Sequence, residues 1–300
     1  MRRIEEYSRW TTHIMHSWSY HIFNMYESHI ARMHMSCDSA IKYTYHNAFG
    51  PDEVKLTDDA FDVLKVGRTK GMTLKMWSDN LDEYENLARL NRLMNMVSYF
   101  ETYLDSVLGL AIESDPGIIT NTPHSVDGIK LLKDGIKIKA VNTKVIIKQC
   151  TQGCWSKRIS SMRKLLGELP PSLENSIGEL EKIRLLRNKV AHAFGRNIKE
   201  ARNYVYSDIP RIERLSEKRF LHCHDLLKKI AHDLDQQIMR KHIGHFQILY
   251  YYHTMKKQAL MNDLFANKVE RLKTTLTIKE NDGNYSKSLC RWAITYYEHL

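Results

Sequence analysis

The sequence predicts an all-α protein, because it contains few turn-forming residues and because its apolar residues recur at helical spacing. The 300 residues include only 13 Gly and 6 Pro, which disfavours a loop-rich β architecture. Hydrophobic residues at 43% and charged residues at 27% are typical of a globular chain rather than a disordered one. No run approaches the roughly 20 consecutive apolar residues of a membrane-spanning helix. We expect a helical protein of one large domain or two ordinary ones, without a membrane segment.

The first third of the chain is predicted to form three helices. Residues 1–48, rich in aromatic residues and His, form a helix with one break, and the Gly-Pro pair within 49–52 stops it. A shorter helix covers Thr57 to Lys70, and Gly71 ends it. The most regular segment follows, from Leu81 to Glu113.

The apolar stripe of the 81–113 helix has one interruption. Successive members lie 3, 4, 3, 7, 4 and 3 residues apart, and the gap of seven contains Glu101. A carboxylate therefore occupies a position where the buried stripe should continue. The members are Leu87, Leu90, Met94, Val97, Leu104, Leu108 and Ala111.

The middle of the chain is partly ambiguous. Asp115-Pro116-Gly117 ends the preceding helix, and 117–150 gives no clear pattern, although its run from Lys130 to Lys148 is compatible with either a short helix or a hairpin. Residues 153–167 resume a helix. Its apolar face consists of Trp155, Ile159, Met162 and Leu166.

A new helix is predicted to start at Pro170-Pro171-Ser172, with Ser172 as its N-cap. It continues to Phe194 and ends at Gly195. Its stripe is also interrupted once, at Arg187. The inward positions are Leu173, Ile177, Leu180, Ile183, Val190 and Phe194.

The last part of the chain is predicted to contain two long helices, over 210–240 and 242–272. The turn residues Asn281-Asp282-Gly283-Asn284 then precede a short C-terminal helix.

The positive charge is concentrated in the middle of the chain. Residues 130–199 carry 16 Lys and Arg against 5 Asp and Glu, or +11, whereas the whole chain carries +10. This distribution is expected of a protein that binds phosphate, although a solvated basic face without a partner gives the same count. Six lysines form either a track for an RNA backbone or a solvated loop: Lys130, Lys133, Lys137, Lys139, Lys144 and Lys148.

Two inward positions on different helices carry opposite charges, Glu101 and Arg187. A buried charge must be paired, so we expect the two side chains to meet, either as a core salt bridge or as part of a site. Asn188 and His192 share one helix face, and Arg184 extends it by a turn. Arg187 and His192 lie about 140° apart around the helix. Either the long Arg187 side chain reaches around the helix, or the site forms between this helix and a neighbour.

The segment from Arg187-Asn188 to His192 resembles the R-x4-6-H motif of the HEPN superfamily in its common form with Asn after the Arg. Residues 99–104 are similar to the acidic part of that superfamily's first long helix, and Gly195-Arg196 is a frequent accompaniment of the motif.

The resemblance covers residues 80–240 and implies a HEPN-like helical bundle. Residues 1–75 and 242–300 would be additional N- and C-terminal helical extensions. Active members of the superfamily are metal-independent endoribonucleases of toxin–antitoxin, abortive-infection and CRISPR systems, and they are usually homodimers. The resemblance therefore implies RNA as substrate, a homodimer, and an antitoxin or another regulatory protein as partner.

The residue types suit RNA cleavage by the 2′-OH on its adjacent phosphate. His192 titrates near neutral pH and can act as acid or base. Arg187 remains charged and offers several donors to a phosphate oxygen. Asn188 would hold the phosphate or orient His192, and Glu101 would aim Arg187. Further RNA contacts are expected from Arg184, Lys189, Arg196, Lys144 and Lys148.

We expect no cofactor and no metal, because the pair Cys150 and Cys154 lacks a second ligand pair at zinc spacing. The odd number of cysteines and the lack of an apolar signal peptide favour a cytoplasmic protein with reduced thiols. Two alternatives remain. One is a non-catalytic HEPN module that binds RNA or a protein, and the other is a structural helical protein whose basic middle binds an acidic partner.

Overall fold

The structure, a computed structural model, describes residues 8–12, 14, 16–48, 71–136, 143–193, 212–258, 264–279 and 285–300. Within these ranges the chain forms eleven α-helices and no strand, which confirms the all-α prediction. None of these helices is both long enough and apolar enough to cross a membrane. They are α1 Trp18–Ala48, α2 Leu74–Ser114, α3 Gly128–Lys133, α4 Thr143–Thr151, α5 Trp155–Leu166, α6 Pro171–Glu174, α7 Ile177–Ala193, α8 Glu217–Ile238, α9 Phe246–Lys257, α10 Phe265–Lys279 and α11 Lys287–His299.

The chain divides into two compact units, each assembled from separate stretches of sequence. Unit 1 comprises Met1–Phe23, Phe100–Glu181 and Lys228–Leu300. Unit 2 comprises Asn24–Tyr99 and Lys182–Leu227. The helices α1, α2, α7 and α8 therefore contribute residues to both units.

Aromatic packing and buried hydrogen bonds organise the core of unit 1. The rings of Phe100 and Trp155 lie 6.1 Å apart between centroids, which joins α2 to α5. The buried Tyr103 hydroxyl donates to the Ala231 carbonyl of α8 at 2.9 Å. The predicted helix over 153–167 is confirmed as α5, and its stripe residues are buried.

The ambiguous 117–150 region forms three short helical segments joined by loops and turns where the structure describes it, and no hairpin strand is present among those residues. A short 3-10 turn covers Pro116–Thr120, and α3 and α4 follow. The Asp127 side chain caps α3 by accepting a hydrogen bond from the Ile129 amide at 3.0 Å. Helix α3 packs against α9, which also contacts α10 and α11.

The predicted N-cap at Ser172 is wrong. Pro170 caps the four-residue helix α6, and Pro171 occupies its first position, where the missing amide proton costs nothing. The Asn175 amide closes this turn on the Pro171 carbonyl at 2.9 Å. The long helix α7 begins separately, at Ile177.

The predicted single helix over 242–272 is also wrong. A π turn over Met239–Ile243 ends at Gly244, whose φ of 54° lies in the left-handed region. A Cβ atom at this position would lie 2.2 Å from the Arg9 carbonyl oxygen, so the close approach requires glycine. Helix α9 starts only at Phe246 and ends at Lys257, where the Gln258 amide donates to the Thr254 carbonyl at 3.0 Å, and α10 begins separately at Phe265.

Two predicted helices begin later than predicted: the one over 1–48 begins at Trp18, and the one over 210–240 begins at Glu217, since the described residues before these positions are not helical. The remaining predicted elements are confirmed in outline or lie outside the described residues. The helix predicted over 81–113 is part of the longer α2, and a C-terminal helix is present as α11. The predicted helix over 57–70, the stop at Gly195 and the turn at 281–284 all lie outside the described residues.

In unit 2, side chains of α1 and α2 pack together and also hold the segment before α8. The rings of Tyr26 and Tyr99 stack with centroids 4.7 Å apart. The amide of the buried Asn86 donates to the Glu213 carbonyl at 3.0 Å and accepts from the Leu215 amide at 2.9 Å. Because a side-chain amide has both a donor and an acceptor, one Asn fixes two backbone groups of an extended segment.

Candidate functional site

The last turns of α7 carry the three residues of the motif. The helix buries one apolar face, and Arg187 and Asn188 lie half-buried beside it. Arg187 Nη1 donates to the Asn188 Oδ1 atom at 3.1 Å, which orients the Asn188 amide. The buried residues of this face in unit 2 are Ile183, Leu186 and Val190.

His192 is exposed in the last turn of α7, one turn after Asn188. Arg187, Asn188 and His192 all belong to unit 2. The motif therefore lies on a single helix within one unit, and its histidine is open to solvent.

Glu101 lies in unit 1 and pairs there with a residue that the sequence analysis did not select. Both Nη1 and Nη2 of Arg158 donate to Glu101 Oε1 at 3.0 Å. Arg158 is buried, its Nε donates to the Gly153 carbonyl at 3.0 Å, and its guanidinium lies 4.8 Å from the Trp155 ring centroid. Glu101, which interrupts the apolar stripe of α2, is therefore paired with the buried Arg158 guanidinium of α5.

The sequence contained a signal for Arg158. It follows Trp155 by three residues and precedes Met162 by four, so it lies on the predicted apolar face of that helix. The predicted meeting of Glu101 and Arg187 involves residues of two different units and stays a prediction.

The basic residues predicted on α7 have different surroundings. Arg184 is half-buried. Lys189 Nζ forms an ion pair with Glu213 Oε2 at 3.0 Å, so RNA would have to compete with this carboxylate. Arg196 lies outside the described residues.

The predicted lysines of α4, Lys144 and Lys148, are exposed one turn apart in unit 1, whereas Cys150 of the same helix is fully buried. Lys133 is engaged differently, since its Nζ donates to the Tyr297 carbonyl at 2.8 Å. Lys144 and Lys148 therefore form an outward basic pair that a polyanion can reach.

Among the described residues, one group has the geometry to hold a metal ion. Asp115, His124 and His242 each offer a ligand atom, and these atoms lie within 4.8 Å of one another. All three residues belong to unit 1. The sequence analysis selected none of them, because they are separated by 9 and 127 residues from Asp115 and form no motif.

Comparisons with known proteins assign no family to this chain. No protein-family model matches it, and the curated proteins and the solved structures give no significant match. The HEPN resemblance therefore remains an expectation based on Arg187, Asn188 and His192 and on the acidic position in α2. The function has to be argued from the chemistry of these residues.

Proposed function

We propose that this chain is a metal-independent HEPN-type endoribonuclease. It would cleave RNA by attack of a 2′-OH on the adjacent phosphate, leaving a 2′,3′-cyclic phosphate and a 5′-OH. The supporting observation is the arrangement at the end of α7, where Arg187 orients Asn188 at 3.1 Å and His192 is exposed. A role as a toxin or phage-defence effector follows from the HEPN resemblance alone.

Each of the three side chains has a role in this reaction. His192 is accessible to solvent, and an imidazole is the side chain most often used as a general acid or base. Arg187 supplies a permanent positive charge for the phosphate oxygens as negative charge develops. The Asn188 amide adds a polar group whose orientation Arg187 fixes.

A homodimer would resolve the angular difficulty of the motif. On one helix, the directions of Arg187 and His192 differ by about 140°. A twofold axis near the end of α7 would place two copies of the motif together, so that the Arg of one protomer and the His of its partner face one phosphate. The proposed enzyme is therefore a homodimer with one composite cleft.

The charge distribution supports RNA as the substrate. The +11 of residues 130–199 and the exposed pair Lys144 and Lys148 would attract a phosphate backbone. Binding through such contacts releases counterions from the RNA, and this release becomes less favourable as the salt concentration rises. The logarithm of the binding constant should therefore fall linearly with the logarithm of the salt concentration, with a slope of about −0.7 per phosphate contact for single strands.

The test is cleavage of total tRNA and of a single-stranded RNA by the purified chain in EDTA. His192→Ala should lower the rate by about 10²–10⁴-fold, because it removes the acid–base group. The matched control is His222→Ala, which removes another exposed histidine of unit 2 and should cleave like the wild type. DNA of the same sequence should remain intact, because it lacks the 2′-OH.

Two outcomes would contradict this function. Equal cleavage by wild type and His192→Ala would exclude the proposed chemistry. Salt-dependent RNA binding without cleavage, under conditions where Lys144→Ala/Lys148→Ala weakens the binding, would support the non-catalytic RNA-binding alternative.

A further inference from the structure

Three segments of unit 1 bring two imidazoles and a carboxylate together. Asp115 directly follows α2, His124 lies in the loop before α3, and His242 lies in the π turn after α8. π turns within helices occur frequently at functional sites, because the extra residue redirects the side chains around it. The cluster therefore joins positions that the chain brings together only when unit 1 is folded.

The distances within the cluster suit a small cation with nitrogen and oxygen ligands. Asp115 is fully buried, and its Oδ1 accepts a hydrogen bond from the His124 backbone amide at 2.8 Å. Its Oδ2 lies 3.1 Å from His242 Nδ1 and 3.7 Å from His124 Nε2. Ligand atoms bound tetrahedrally to zinc lie roughly 3.3–3.5 Å apart. A small shift of two rings would therefore place a zinc ion between the three atoms.

Neighbouring contacts hold the three residues in place. The Ser114 hydroxyl donates to the His242 carbonyl at 2.6 Å, which ties the π turn to the end of α2. His124 adopts a left-handed backbone conformation, with φ of 63°, and its ring stacks on Trp10 at 4.0 Å. Supporting contacts of this kind preorganise metal ligands and raise affinity.

One positive charge, that of Arg9, already acts on the Asp115 carboxylate. Arg9 is close by, but its Nε pairs with the Asp127 carboxylate at 2.9 Å. The Asp115 carboxylate is fully buried, and a buried carboxylate gains from a nearby positive charge. The buried His242 Nε2 has no hydrogen-bond partner within the described part of the chain. No hydrogen bond at this atom therefore opposes a small rotation of the ring.

We propose that Asp115, His124 and His242 bind a first-row divalent transition-metal ion, with zinc as the probe. Two imidazoles and one carboxylate favour such an ion over Mg²⁺ or Ca²⁺, which prefer sets of oxygen ligands. The fourth position would face the solvent beside His124, whose side chain is 43% exposed. The ion would connect the end of α2, the loop before α3 and the π turn.

Metal binding at this site must break one hydrogen bond. His124 Nε2 is hydrogen-bonded to the Lys241 carbonyl at 2.7 Å, so this nitrogen carries a proton in the metal-free form. The ligand form requires an unprotonated Nε2, so the ring proton has to move to Nδ1 and the bond to Lys241 has to break.

The experiment counts zinc equivalents bound by the full chain. The protein is stripped with EDTA, the chelator is removed, and zinc is added in competition with a chromophoric chelator of known affinity. Wild type should bind one more equivalent of zinc than His124→Asn does. An excess of Mg²⁺ should not displace this zinc ion. Asn is the chosen substitution because it tolerates a positive φ. The matched control is His299→Asn, an exposed histidine of the same unit, which should bind like the wild type.

Thermal unfolding supplies a second measurement, since a ligand that binds only the folded chain raises its Tm. Zinc should raise the Tm of wild type and His299→Asn and leave that of His124→Asn unchanged. Equal zinc binding by wild type and His124→Asn, or no binding by wild type, would overturn the proposal. If His124→Asn does not fold, X-ray absorption spectroscopy of the wild-type zinc complex identifies the ligands instead. A ligand shell without two imidazoles would also overturn the proposal.

Discussion

Arg9 is the largest fully buried side chain of the described residues, and replacing it should destabilise unit 1 strongly. Its guanidinium donates to the Asp127 carboxylate, to the carbonyl and hydroxyl of Ser114, and to the Ile243 carbonyl. It also lies 3.6 Å from the Trp10 ring centroid. Burial lowers the pKa of Arg9, and the nearby Asp127 carboxylate opposes this effect.

The substitution Arg9→Met keeps much of the side-chain volume but removes every donor. The Ser114 carbonyl would then lose its Arg9 donor, the Ile243 carbonyl would keep only the Ser114 hydroxyl at 3.2 Å, and Asp127 would lose its ion pair. Removing one partner of a buried, hydrogen-bonded charge network costs about 3–5 kcal/mol. For a domain of 150–250 residues this free energy corresponds to a decrease in Tm of roughly 6–20 °C.

The assay is thermal unfolding followed by circular dichroism, with two further variants. Arg9→Lys should recover only part of the loss, because an ammonium group cannot reproduce the planar fork of donors. Lys42→Met is the control, since Lys42 is 70% exposed and its ion pair with Asp38 should matter little. If Arg9→Met changes Tm no more than Lys42→Met, the buried network does not stabilise the fold as argued.

Two further predictions concern titration and reactivity. The hydrogen bond to the buried Glu27 carboxylate raises the pKa of His224, so its stabilising effect is complete below the unfolded pKa of about 6.5 and is lost as pH rises through the folded pKa. The Tm difference between wild type and His224→Gln should therefore be larger at about pH 5.5 than at about pH 8.5, and an unchanging difference would contradict the assignment. Hydrogen bonds from the Ser156 hydroxyl and the Lys157 amide lower the pKa of Cys154, whereas burial raises the pKa of Cys150 to about 12. Iodoacetamide near neutral pH should label Cys154 first, as mass spectrometry can show, and faster labelling of Cys150 would refute this order.

Helical periodicity predicted most of the fold, and local backbone geometry accounts for the errors. The apolar stripes that gave α2 and α5 depend only on spacing within one helix. The break after α8 was predicted at residue 241 but lies at Gly244, because the Arg9 backbone approaches that position closely. Such an approach is a tertiary contact, and a lone glycine in an otherwise helical pattern does not reveal it.

The candidate site was predictable only where its residues share a helix. The spacing of Asn188 and His192 on α7 could be read directly. The partner of Glu101 in unit 1, Arg158, required knowledge of which helix packs against α2. The cluster around Asp115 depends on three segments that meet only in the folded chain. Sequence spacing therefore identifies sites within one element and misses sites between elements.

The interleaved order of the two units affects how the chain folds during synthesis. Residues Asn24–Tyr99 of unit 2 leave the ribosome first, but their partner stretch begins only at Lys182. At 5–20 residues per second, the intervening stretch takes roughly 4–16 s to translate. Through that interval the parts of α1 and α2 that belong to unit 2 lack the neighbours of the folded unit. Chaperones would protect their exposed apolar faces from aggregation. A nascent chain released before Leu227 would complete neither unit.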